Sequence, residues 1–170
     1  AEHAAAALGT AADDVLVCST GLIGERLPMD TLTAGVSEAV AALSPDGGED
    51  AAVAIKTTDT VAKTAVARGE GFTVGGMAKG AGMLAPGMAT MLSVITTDAD
   101  VPAPALDAAL RDAVRATFNR VDSDGCMSTN DTVILLASGA SGTVPDPAAF
   151  AAALHEVCAD LSRQLVADAE

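Results

Sequence analysis

Tyrosine and tryptophan are absent from this chain, and phenylalanine occurs three times. A core without large rings has to be filled by many small aliphatic side chains. Half of the 170 residues are hydrophobic, enough to enclose one domain, or a domain with a small subdomain. The lack of aromatics also removes the stacking platforms that single-stranded nucleic acid uses. Basic residues are scarce too: nine Lys and Arg stand against 23 Asp and Glu, a net charge of −14. Such a surface repels phosphate backbones, so nucleic acid is not an expected partner. Histidine appears twice, at His3 and His155, and cysteine three times, at Cys18, Cys126 and Cys158. An odd, dispersed cysteine set without CxxC fits a reducing compartment and offers no zinc framework, so no metal is expected. These residues contain neither an 18-residue apolar run nor a signal-peptide pattern, so no membrane contact and a cytoplasmic location are expected.

What is present alternates between strand-like and helix-like patterns. After a first helical stretch, "AEHAAAALG", the run Asp13–Thr20 ("DDVLVCST") reads as a short buried strand. Asp30 is a candidate N-cap for a helix over 31–43, with Leu32, Val36, Val40 and Leu43 as its apolar stripe. A second, Ala-rich helix is expected over 49–55, running into "KTTDT". "RGEGFTVGGMAKGAG" reads as a strand between glycine turns, and Thr90–Asp98 ("TMLSVITTD") as the strongest strand, apolar enough to be covered on both faces. Pro102 and Pro104 introduce a helix carrying Leu106, Leu110, Val114 and Phe118. "TVILLAS" is a strand, and a last helix starts near Pro147 with Phe150, Leu154, Val157, Leu161 and Leu165 on one face. Strands alternating with one-faced helices predict α/β layers. A small helical subdomain is expected over 28–60. Both ends are in helical pattern, and the first residue is not Met, so a piece of a longer chain is expected.

Several familiar site patterns fail on their context. "GAGMLA", Gly80–Ala85, fits a loose dinucleotide fingerprint, but Pro86 and Gly87 stop the helix that must open there. Lys79 is followed by Gly80 rather than Ser or Thr, which excludes a P-loop. Asp122 and Asp124 lack the rest of a calcium loop. Neither histidine stands near a loop serine in a strand-turn-helix context. Thr90 is left. A threonine hydroxyl is a weak nucleophile unless a base lies beside it, and one solution is the residue's own α-amine, freed by cleaving the preceding peptide bond. That chemistry asks for a small residue before the threonine, a bend in the loop and a strand after it. "PGMA" followed by "TMLSVITT" has all three. A threonine that merely begins a strand has the same local pattern.

The segments "CSTGLIGERLPMD", "TTDT", "GGMAKGAGMLAPGMATML" and "MSTNDT" together resemble the ornithine acetyltransferase family, the glutamate N-acetyltransferases of arginine biosynthesis. The resemblance runs essentially the length of the chain, and "KGxGMxxPxMATML" is its most specific part. It implies a layered α-β-β-α sandwich of the self-cleaving N-terminal-nucleophile type, of which 1–170 resembles the central part of one catalytic domain. It also implies cleavage between Ala89 and Thr90, so that 1–89 is the end of the α-subunit region and 90–170 the start of the β-subunit region. Thr90 becomes the nucleophile. The family's oxyanion pair corresponds to Thr20 and Gly21. Its substrate contacts correspond to Thr57, Lys79, Thr90 itself and Glu170.

The implied reaction moves an acetyl group from N-acetylornithine to glutamate through an acetyl-Thr90 intermediate. Some members add acetyl-CoA-dependent acetylation of glutamate, which makes acetyl-CoA a co-substrate while no bound cofactor is expected. An aminopeptidase or amidase with the same threonine nucleophile is the alternative. The implied assembly is an α2β2 heterotetramer of the two cleavage products.

Overall fold

A computed structural model describes the chain except residues 23, 86, 87, 90, 127 and 170; residues 85, 88 and 89 are described by their backbone alone. The chain divides into two compact units, Ala1–Gly48 and Glu49–Glu170.

The first unit is built on α1 (Glu2–Leu8) and α2 (Met29–Ala41), with a 3₁₀ turn at Ala12–Asp14 between them. Alanine favours both helices intrinsically. Gly9, in the left-handed conformation at φ 72°, closes α1. His3 Nε2 and Ser37 Oγ lie 2.9 Å apart and tie α1 to α2. The segment expected as a strand over Asp13–Thr20 is a correction. Its first residues are 3₁₀ and the rest is irregular, with Leu16 and Val17 exposed. An apolar run becomes a strand only where a neighbour completes its ladder, and among the described residues none pairs with it. Asp30 lies within the first turn of α2 rather than at its cap, because the helix starts directly after Pro28. There its charge still faces the positive helix end.

The second unit opens within α3 (Gly48–Ala54), at its second residue, and centres on a four-stranded sheet. Its strands are β1 (Lys63–Gly69), β2 (Phe72–Lys79), β5 (Leu92–Thr97) and β6 (Thr132–Ala137), in the order β1-β2-β5-β6. The first three run antiparallel, whereas β5 and β6 are parallel. A parallel neighbour requires a crossover. The chain from β5 to β6 makes it through α4 (Ala103–Ala116). The last helix, α5 (Pro147–Ala167), packs on β1, β2 and α4, while α4 also touches β6, so both helices share one face of the sheet.

Alternation along the strands fills that face. Ala65 and Ala67, Phe72, Val74 and Ala78, and Ser93, Ile95 and Thr97 are buried beneath α5 and α4. Phe150, Leu154, Val157, Leu161 and Leu165, the stripe read from the sequence, are all buried. Phe72 and Phe150 meet with ring centroids 6.0 Å apart at a tilt of 44°. With few rings available, backbone closeness replaces ring volume: Gly76 lets Ile95, Leu161 and Val157 close over β2. On the other face of β5, Leu92 is buried, Val94 half-buried and Thr96 exposed. The strand is thus covered on both faces only at its first residues, next to the end of β2.

β1 itself was not expected. In "KTAVARG" the inward positions are Lys63, Ala65 and Ala67 while Val66 is exposed, so the buried face offers a weak apolar signal.

Candidate functional site

The chain beyond β2 folds into a short hairpin, β3 (Leu84–Ala85) against β4 (Met88–Ala89), with Leu84 opposite Ala89 and Ala85 opposite Met88. Pro86 and Gly87, which connect the two strands, and Thr90, which follows them, lie outside the described residues. The ends of this segment are fastened by side chains from elsewhere. Before it, the Gly80 amide donates to Asp59 Oδ1 at 2.6 Å, with Gly80 at φ 150°, a conformation that favours glycine. Within it, the Met83 amide donates to Asp124 Oδ2 at 2.8 Å and the Leu84 amide to Ser123 Oγ at 3.3 Å. After it, the Met91 amide donates to Asp131 Oδ1 at 2.9 Å. Four separate anchors therefore hold the backbone on both sides of position 90. Asp122, for its part, accepts the Gly125 amide at 3.0 Å.

Lys79 ends β2, opposite Leu92 in the ladder, and is 2% exposed. By alternation its side chain leaves the sheet on the face away from α5. Its Nζ donates to Thr57 Oγ1 at 3.2 Å. Two positions singled out in the sequence, 22 residues apart, thus meet through their side chains. Burial depresses the Lys79 ammonium below the ordinary lysine value, and Lys63 pushes the same way; the carboxylates of Asp59 and Asp131 act against both. A buried ammonium facing a hydroxyl, with carboxylates nearby, is suited to a carboxylate ligand. Such a ligand would offset the desolvation that the lysine otherwise suffers.

Behind this pair lies a group of charged side chains that the sequence did not mark. Lys63 Nζ, wholly buried, donates to Asp59 Oδ1 at 2.7 Å and to Asp168 Oδ2 at 2.5 Å. The Thr57 amide donates to Asp59 Oδ2 at 3.2 Å. Asp168, at the C-terminal end of α5, also accepts from the Thr60 amide at 3.1 Å and from the Thr60 hydroxyl. Burial works to raise the Asp59 carboxyl. The bonds from Gly80, Lys63 and Thr57 outweigh it, so the carboxyl rests below its ordinary value. The bonds from Lys63 and Thr60 hold Asp168 at about 2.

The remaining sequence candidates are placed as follows. Thr20 is half-buried and Gly21 exposed, both in irregular backbone of the first unit. Ala89 is in β4, its backbone laddered to Leu84. Thr90 and Glu170 lie outside the described residues; Asp168 precedes Glu170 by two positions. Sequence reading missed Asp59, Lys63, Asp131 and Asp168 as members of this cluster. Asp59 sits inside the quoted "TTDT" and Asp131 inside "MSTNDT", so the motifs contained the signal although the residues were not singled out.

The sheet with its helices on one face makes a mixed α/β fold, in which a buried lysine meets an exposed threonine beside a pinned hairpin; the N-terminal-nucleophile type is that of the family to which the chain belongs. The chain belongs to the ArgJ family, whose profile matches residues 1–170. It is 68% identical over its whole length to arginine biosynthesis bifunctional protein ArgJ 1 of Streptomyces clavuligerus. To the arginine biosynthesis bifunctional proteins ArgJ of Streptomyces coelicolor and Thermobifida fusca it is 67% and 65% identical, again over its whole length. In each case the chain spans 44% of the relative's length.

Proposed function

We propose that the protein to which this chain belongs transfers an acetyl group from N-acetylornithine to glutamate. The observation that carries the reading is the hydrogen bond from the buried Lys79 ammonium to the exposed Thr57 hydroxyl, in a chain that matches the ArgJ family from end to end. In this reading the Thr90 hydroxyl first attacks the carbonyl carbon of Ala89. Collapse of the adduct breaks the peptide bond, giving an ester on the Thr90 oxygen and freeing the Thr90 α-amine. Hydrolysis of that ester then frees the Thr90 hydroxyl and leaves Ala89 as a carboxylate. The four anchors around position 90 support the reading, because attack on the preceding carbonyl needs a backbone held in one bend.

In transfer, the Thr90 α-amine takes the proton as the hydroxyl attacks the acetyl carbonyl of N-acetylornithine. The Thr20 hydroxyl and the Gly21 amide stabilise the tetrahedral oxyanion, a role worth ~3–4 kcal/mol per donor. Ornithine leaves with the proton, and acetyl-Thr90 remains as an ester. The amine of glutamate attacks that ester, Thr90 leaves as the hydroxyl, and N-acetylglutamate departs. Lys79 and Thr57 hold the α-carboxylate shared by both substrates, and Glu170 the substrate ammonium. The two cleavage products assemble as α2β2. The word "bifunctional" in the relatives' names supports a second activity; we assign it to acetylation of glutamate by acetyl-CoA.

Intact-mass measurement of the full-length enzyme tests the reading. Incubation with N-acetylornithine alone should leave one acetyl group on the Thr90-containing product, and added glutamate should remove it. Release of acetate without transfer to glutamate would indicate an amidase, and no adduct would remove Thr90 from the chemistry.

A further inference from the structure

Among the described side chains of the second unit, Lys63 and Lys79 are the bulkiest to be essentially fully buried. Lys79 has a role in the proposed transfer, but Lys63 and the carboxylates around it have none. A buried ion pair is a poor source of net stability, since desolvation of the charges offsets their attraction. What distinguishes this one is where its bonds lead. Asp59 Oδ2 takes the amide of Thr57, and Asp59 Oδ1 takes the amide of Gly80, the residue after Lys79. One carboxylate therefore grips the backbone of both halves of the Lys79–Thr57 pair. Lys63 holds that carboxylate in place, and is itself held by Asp168 at the end of α5.

We propose that Asp59 is a positioning residue for substrate carboxylate recognition: it clamps the Thr57 and Gly80 amides so that the Thr57 hydroxyl and the Lys79 ammonium present one fixed pair of donors. Lys63 and Asp168 anchor the clamp. The proposal rests on the reading of Lys79 and Thr57 as the carboxylate site. It differs from a merely structural ion pair in what it says about substrate binding. The charged groups that act on Lys79 are Asp59 and Asp131, which favour its ammonium, and Lys63, which opposes it. Removing Asp59 must then lower the titration of Lys79, whereas removing the Lys63 charge must raise it. A merely structural pair would give the same field on Lys79 but leave the KM of both substrates unchanged when Asp59 is neutralised.

The experiment uses the full-length enzyme in three forms: wild type, Asp59→Asn and Lys63→Gln. Steady-state kinetics with N-acetylornithine and glutamate are measured across pH, together with NMR titration of lysines carrying 13C at Cε. The Lys79 signal is identified by its loss in Lys79→Met. Asp59→Asn should raise the KM of both substrates by about 10-fold, with a smaller change in kcat, as expected when a binding contact is loosened. The pH at which KM begins to climb, and the Lys79 midpoint, should both fall in Asp59→Asn and rise in Lys63→Gln. The proposal is overturned if KM or the midpoint stays at its wild-type value in Asp59→Asn, or if the two variants shift the midpoint in the same direction. If Asp59→Asn does not fold, the KM of Lys63→Gln decides, rising with the loosened clamp or overturning the proposal by staying at the wild-type value. If the wild-type enzyme transfers no acetyl group, the proposed function fails, while the clamp is still judged by whether glutamate moves the Lys79 signal in wild type and less so in Asp59→Asn.

Discussion

A lysine brought out of water tends to lose its proton unless something nearby compensates, and Lys79 has two carboxylates in its field and a hydroxyl within reach. Its value to a substrate carboxylate is charge together with a direction of donation. Lys79→Met keeps the apolar stem and removes both, so kcat/KM for glutamate and N-acetylornithine should fall by about 10–100-fold, the worth of a charge-assisted bond of ~1.5–3 kcal/mol. Unchanged kinetics in the full-length enzyme would return Lys79 to a structural role. The cysteines give a second test at this scale. Burial pushes the Cys158 thiol up to about 12, and the side chain is fully enclosed, whereas Cys126 is exposed. A thiol-disulfide reagent at neutral pH should label Cys126 in the native protein and Cys158 only after denaturation.

Thr57 and Lys79 could be read from the chain because they occur in distinctive short motifs. Asp59 stands in the same "TTDT", but its role could not be read, because it acts through the backbone of Gly80, 21 residues away. A backbone amide leaves no mark in a sequence, and a carboxylate that serves one looks like any surface aspartate.

Among the elements, those with a long period were legible and those defined by a partner were not. Five apolar residues at helical spacing predicted the buried face of α5, since a 21-residue helix repeats its signal over several turns. β1 repeats only over seven residues and is stabilised by what lies on either side of it. The run at 13–20 misled for the converse reason: it is apolar but, among the described residues, has no ladder partner. The contact between α5 and the sheet can be tested from both sides. A Cβ at Gly76 would lie 3.2 Å from Ile95 Cγ1 and from Leu161 Cδ1, and 3.3 Å from Val157 Cγ1. Valine is the better strand former, yet Gly76→Val should destabilise by about 1–3 kcal/mol, because a filled core has nowhere to put the methyl groups. From the helix side, Leu161→Ala should cost about 2–5 kcal/mol. Val166→Ala, at an exposed position of the same helix, should stay within about 0.5 kcal/mol. Urea midpoints order the three variants, and a Gly76→Val protein as stable as wild type would show that α5 is not seated on β2 as described.

At the scale of the whole molecule, 23 acidic residues make the response to acid a sum of two opposing effects. Protonation relieves the repulsion of a chain carrying a net −14, which favours the compact state as pH falls from neutral. It also neutralises carboxylates that the fold uses, and Asp168 is the clearest of these. Its carboxyl titrates at about 2 in the folded protein, held down by Lys63 and Thr60. In the unfolded chain it titrates near ~3.9. Between those values the unfolded state binds more protons than the folded one, so the stabilisation is fully present above the unfolded value and is lost as pH falls through the folded one. Asp59, also held below its ordinary value, adds a loss of the same sign. The two effects separate in a difference measurement. Asp168→Asn removes one charge of many and barely alters the overall repulsion, but it removes this titration. The gap in urea midpoint between the wild-type full-length enzyme and Asp168→Asn should therefore be constant from neutral pH down to about 5 and close progressively below ~4, approaching zero near pH 2. A gap that persisted unchanged to pH 2 would mean that Asp168 stabilises α5 by shape and hydrogen bonding alone, and that its charge on Lys63 contributes nothing.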